Sequence, residues 1–239
     1  SEDWGVTYGS ETVEPVRRAL LVGVGDYQHG GVPNLPAPPY DVAMMKDVLE
    51  HSGVQVVSEL IDAQATRAGI ITGINNAFQN AVEDDISYFY FSGYGSLSNG
   101  NAYLCPYDTW NVPMISVSEL ERELKKIKGI KVVILDSCHS GGFIGKELDQ
   151  KEISDYLQDF NNNVINAFSG QGIIEKDLSK YPYQVLTSSH SSQTSVEFFE
   201  GSFDPPFDNP VGLFSLYLCW GCGYNSYIHP YPADWIDGN

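Results

Sequence analysis

The chain has 239 residues, 42% of them hydrophobic and 18% charged, enough apolar material for one substantial core and too little charge for a disordered chain. Its 31 acidic residues against 13 basic give a net charge of −18, a field that disfavours nucleic acid and anionic membrane surfaces and favours basic peptides or cations as partners. No run of about 18 apolar residues is present, and the opening SEDWGVTYGS lacks the basic-then-apolar pattern of a signal peptide, so no compartment can be named.

Residues 1 to 16 are read as an N-terminal extension. RALLVGVG, residues 18 to 25, is an apolar run rich in branched side chains and ending in glycine, the pattern of a buried strand. Val42, Met45 and Leu49 recur three and four apart and predict a helix over 40–51. A strand over 54–61, a helix over 67–82 and a strand over 86–92 follow, the last passing from ISYFYFSG into GYGSLSNG, which reads as a loop. A helix over 116–128 precedes the strand KVVILD, which leads straight into SCHSGG. Residues 143 to 182, with Asn161 to Asn163, SGQG and only a weak helical pattern near 147–160, read as a long mobile connection. A strand over 183–188 and an irregular tail over 223–239 complete the chain, leaving 17–222 as one domain.

Strands alternating with helices imply right-handed crossovers and a largely parallel sheet with helices on both faces, a three-layer α/β sandwich. In such folds functional groups collect at the carboxyl ends of the strands, where GYGSLSNG and SCHSGG both emerge. A nucleotide-binding reading fails for want of a phosphate loop, since LLVGVGDY is no G-x-G-x-x-G.

Four cysteines, at 105, 138, 219 and 222, are too few for a disulfide scaffold. Cys219 and Cys222 form a C-x-x-C pair in an apolar stretch with no second ligand pair nearby, which favours packing or a local disulfide over zinc. Cys138 differs, because a cysteine at a strand end followed by small residues has an exposed sulfur and free backbone amides, as a nucleophile needs.

RALLVGVGDY, NLPAPPYDVAMM, YFYFSGYGS, LCPYDT, VVILDSCHSGG, VLTSSHSSQTSVEF and GLFSLYL occur in the order seen in metacaspases and bacterial orthocaspases, and over about residues 17 to 222 the chain resembles that caspase-like family. The resemblance implies a caspase-type sandwich and a cysteine endopeptidase that cleaves after a basic residue with a Cys and His dyad. Cys138 takes the nucleophile's place. The family's histidine lies in a Ser-Gly-His-Gly pattern, and here those positions hold Ser92, Gly93, Tyr94 and Gly95. A phenol, with a reference pKa of about 10, is a poor proton acceptor at neutral pH, where an imidazole titrates at about 6.5. His139, His190 and His29 remain as substitutes near the active edge, with His51 and His229 farther from it.

The resemblance further assigns Asp41, at the start of the first helix, and Asp136, two before the cysteine, to a pocket for Arg or Lys. It assigns the amides of Gly95 and Cys138 to an oxyanion site. Some relatives require calcium, for which Glu83, Asp84 and Asp85 are the candidate ligands, the alternative being simply a polar helix end. The expected function is a pseudoprotease or very weak peptidase that binds basic peptide segments; the alternative is an active endopeptidase. Self-cleavage, which in active relatives falls in the long connection, would use Lys146, Lys151, Lys176 or Lys180.

Overall fold

The computed structural model describes residues 14–28, 33–138, 150–169, 183–188, 197–198 and 210–224. In chain order the elements are β1 (Arg17–Gly23), α1 (Pro38–His51), β2 (Val56–Ile61), a 3-10 turn (Asp62–Gln64), α2 (Arg67–Phe78), β3 (Ile86–Ser98), β4 (Asn101–Leu104), β5 (Ile115–Ser116), α3 (Val117–Leu124), β6 (Ile130–Cys138), α4 (Gln150–Phe168), β7 (Tyr183–Thr187), β8 (Glu197–Phe198), β9 (Val211–Gly212) and α5 (Leu213–Gly221). Five strands pair in parallel in the order β2-β1-β3-β6-β7. The end of β3 then turns antiparallel onto β4, and β4 onto β5.

The apolar runs of β1, β3 and β6 face a separate core on each side of the sheet, because successive side chains point to opposite faces. Leu20, Val22, Phe89, Phe91, Val133 and Leu135 join the core that α2, α3 and α4 complete. Ala19, Leu21, Tyr90 and Ile134 join the core that α1 and α5 complete. The fold is therefore a three-layer α/β sandwich with helices on both faces, as the alternation predicts. Helix entry is written locally: Thr66 Oγ1 accepts from Gly69 N at 3.0 Å to start α2, and Ser116 Oγ accepts from Glu119 N at 3.1 Å to start α3.

Two expectations are corrected. GYGSLSNG is no loop, since β3 continues to Ser98 and reverses through Asn99 and Gly100, both at positive φ (50° and 71°), the geometry of a two-residue hairpin turn. Within 143–182, read as a mobile connection, Gln150–Phe168 is a 19-residue helix. Its Asn-rich centre has weak helical propensity, but Phe160, Val164 and Phe168 recur four apart and are buried in the core, so packing overrides propensity. The rest of that connection, the tail beyond Tyr224 and residues 1 to 13 lie outside the described residues.

Candidate functional site: a tyrosine beside the nucleophile position and a buried acid pair

The extended β3 and β6 bring two predicted site positions together. In their parallel register Ser92 faces Asp136, Gly93 faces Ser137 and Tyr94 faces Cys138, so residues 94 and 138 are direct neighbours across the sheet, about 4.8 Å apart in the pairing direction. The predicted accessibility of the Cys138 sulfur lies outside the described side chains, as do His29, His139, His190 and His229.

Tyr94 is built in as a structural residue. Its ring is 1% exposed and stacks on Tyr27, in the loop after β1, with centroids 5.3 Å apart and planes 30° from parallel. Its hydroxyl donates to the carbonyl of Pro33 at 2.9 Å, and its backbone N–H donates to the Tyr27 hydroxyl at 2.9 Å. The phenol thus directs its proton at a carbonyl oxygen of the loop after β1. Gly95, the predicted oxyanion amide, is buried inside β3 opposite Leu104 of β4. An ideal Cβ there would stand 3.0 Å from Ser137 Cβ and 3.0 Å from the Phe160 ring, so the position requires a small residue.

The two predicted pocket carboxylates also come together. Asp41, in the first turn of α1, is 1% exposed and accepts from Ser92 Oγ at 2.9 Å and from Gly212 N at 2.7 Å. Asp136 is fully buried and accepts from Ser215 Oγ at 2.6 Å and from Ser215 N at 3.3 Å. Because the single Ser215 hydroxyl proton goes to Asp136, the Tyr90 hydroxyl, 2.5 Å away, must donate to Ser215. Burial, and then the Asp41 and Asp136 charges, hold the Tyr90 phenol well above its usual range, which keeps it a donor. An ideal Cβ on Gly212 would lie 2.7 Å from Asp136 Oδ2 and 2.8 Å from Asp41 Oδ2, so both carboxylates converge on one point.

Sequence reasoning missed Ser92, Tyr90, Gly212 and Ser215 as pocket partners. Ser92 and Tyr90 lie in YFYFSGYGS and the other two in GLFSLYL, so the motifs contained them, but their contacts span up to 171 residues.

Asp85 accepts from Arg18 Nη1 at 2.6 Å and from the amides of Val16 and Val82, and Glu83 pairs with Lys128 at 2.9 Å. Among the described residues no group of three or more His, Cys, Asp or Glu could hold a metal. His51 ends α1 with its Nδ1 2.9 Å from the Asp47 carbonyl. Cys105, Cys219 and Cys222 are free thiols, Cys105 and Cys219 buried. Lys151 lies in the first turn of α4, not in an extended loop; Lys146, Lys176 and Lys180 are outside the described residues. No helix among the described residues is long and apolar enough to cross a membrane.

With this geometry in view, the family model of the caspase domain, a peptidase family, matches residues 16–217. The chain belongs to the caspase-domain family. Protein GSU0716 from Geobacter sulfurreducens has a similar crystal structure, with a TM-score of 0.57 and 22% identity, over 87% of this chain and 83% of that one. At that identity the likeness bears on fold alone. The structure of pro-sf-caspase-1 aligns with a TM-score of 0.39 and 14% identity over 62% of this chain and 59% of that one, too loosely to carry an argument. No curated protein matches. Membership of a peptidase family implies protein substrates, and it makes the occupant of position 94 the chemical question.

Proposed function

We propose that this caspase-like domain is a pseudoprotease, or a peptidase of very low rate, that binds peptide segments bearing Arg or Lys in a pocket formed by Asp41 and Asp136. The domain takes in 17–222, with 143–182 joining its two parts. One observation carries the reading: the residue facing Cys138 across β3 and β6 is a buried tyrosine whose hydroxyl donates to the Pro33 carbonyl. General acid and base assistance is worth roughly 100- to 10,000-fold, so a thiol without it attacks an amide slowly or not at all. The pocket's support is independent of the base, because Asp41 and Asp136 stand on α1 and β6 and converge through Ser92, Gly212 and Ser215. Two buried carboxylates attract a desolvated guanidinium more strongly than surface acids do.

The test is turnover of an Arg or Lys peptide reporter by the native chain beside Tyr94→His. The native chain should turn over at the limit of detection, and Tyr94→His should gain at least about 100-fold. That gain should vanish when Cys138→Ala is added. Mass spectrometry should find the native chain uncut and Tyr94→His clipped after a lysine of the connection. Rapid turnover by the native chain, abolished by Cys138→Ala, would restore the reading as an active endopeptidase cleaving after Arg or Lys.

A further inference from the structure

The acid pair has a third wall that motif reasoning does not supply. β9 and α5 meet at Gly212, which is the N-cap of α5 but has no side chain to cap it. A helix start leaves backbone N–H groups without partners, ordinarily met by an N-cap Ser, Thr, Asp or Asn. Here the acid pair fills that role from other elements. Asp41 takes the Gly212 amide, and Asp136 takes both the amide and the hydroxyl of Ser215, the third helical residue. The helix thereby fixes the rotamer of each carboxylate, and the N-terminal end of its dipole favours both in their charged forms. Closeness is what makes this possible. The ideal Cβ position on Gly212 lies under 3 Å from an oxygen of each carboxylate, a separation that real Cβ atoms do not show, and both oxygens belong to short, buried, hydrogen-bonded side chains that cannot swing clear.

We infer that Gly212 and Ser215 determine the pocket's preference for a basic side chain, Gly212 by leaving the space in which the two carboxylates converge and Ser215 by holding Asp136 in register. The inference rests on the proposed basic-peptide pocket. A methyl group at 212 pushes Asp41 and Asp136 apart or lifts α5, and either movement breaks the Asp41 bond to the Gly212 amide. Ser215 is a positioning residue: it touches Asp136 and Tyr90, and the ligand's cation would meet Asp136 and not the serine. Removing its hydroxyl leaves Asp136 with one donor fewer.

The experiment measures binding to the full chain of an N-acetylated Arg peptide amide and of its citrulline counterpart, in which a neutral urea of the same length replaces the guanidinium. The readout is the ratio of the two affinities, which a general loosening of the fold would not alter selectively. Thermal unfolding of each variant establishes that it is folded. The native chain should prefer Arg by at least tenfold, and Asp136→Asn should abolish most of that preference. Gly212→Ala should abolish it to a similar extent, Ser215→Ala should reduce it severalfold, and Ser215→Thr, which keeps the hydroxyl, should retain it. If Gly212→Ala does not fold, the Ser215 pair carries the test alone. Loss of preference in Asp136→Asn with full preference in folded Gly212→Ala and Ser215→Ala overturns this inference and leaves the pocket standing. Absence of any Arg preference in the native chain overturns the pocket and the inference with it.

Discussion

Two rungs of the same pair of strands, two residues apart, have met different ends. At the first, Ser92 stands opposite Asp136, Ser92 donates to Asp41 and Ser215 donates to Asp136. At the second, Tyr94 stands opposite Cys138, and the side chain that should accept a proton is a phenol giving its own to a backbone carbonyl. The first rung needs only fixed charge, which burial and hydrogen bonds supply. On the proposed reading the second needs a group whose pKa lies near the working pH, which one residue decides. On the proposed reading recognition and chemistry are separable, and each of the following experiments attacks or sharpens that separation.

The largest effect should fall at neither rung. Asp85, 3% exposed at the amino end of β3, binds Arg18 and two backbone amides, so Asp85→Ala breaks a buried ion pair and should cost about 3 kcal/mol, read as a lowered urea midpoint. Burial pushes its carboxyl up, but the bonds from the Val82 amide, Arg18 and the Val16 amide outweigh that and hold it below the usual range. A carboxyl depressed in the folded state stabilises fully above its unfolded pKa of about 3.9 and loses that contribution as pH falls further. The native chain should therefore weaken below about pH 4, with a shallower loss in Asp85→Ala. The Arg preference near neutral pH should not move. If it does, the rungs are not locally determined and the comparison fails.

Next in size is the reactivity of Cys138 itself. An unperturbed thiol has a pKa of about 8.5 and is only a few per cent thiolate at neutral pH, whereas a neighbouring imidazolium can make a thiol mostly thiolate. Alkylation of Cys138 by iodoacetamide at pH 7, followed by mass spectrometry, should therefore quicken roughly tenfold or more in Tyr94→His. The rate in the native chain should climb through pH 8 to 9, as a simple thiol's does. Burial holds the Cys105 and Cys219 thiols well above their usual range, so neither should compete. A fast, pH-independent reaction in the native chain would mean that some other group already ionises Cys138, and the second rung would not be silent.

How far the sequence could be read differs between these places for physical reasons. Parallel strands buried on both faces leave continuous apolar runs, which is why RALLVGVG and KVVILD announce β1 and β6 within a residue or two. The second half of β3 was hidden because Gly, Ser and Tyr are turn-like in composition, and only the pairing of Gly95 to Ser98 with β4 makes them strand. α4 was hidden because three successive asparagines argue against a helix locally, while Phe160, Val164 and Phe168 argue for one only once a core exists to receive them. At the site, Asp41, Asp136 and the odd Tyr94 were visible through the motifs around them. Gly212 and Ser215 were not, because nothing in a linear sequence says that residue 212 returns to touch residue 41.

The smallest effect is the most direct test of what Tyr94 is for. Tyr94→Phe keeps the ring and its stacking on Tyr27 and removes only the hydroxyl that donates to Pro33. This hydrogen bond is part-buried and its acceptor is on an exposed residue that water can reach, so the unfolding free energy should fall by roughly 1 kcal/mol. If the phenol serves only to hold the loop after β1, residual turnover of an Arg reporter and the alkylation rate of Cys138 should both match the native chain. If instead the phenol orients or deprotonates the thiol, turnover should drop with the hydroxyl while binding of the Arg peptide is unchanged. That second outcome would place chemistry on the rung of Tyr94 and Cys138 and overturn the pseudoprotease reading.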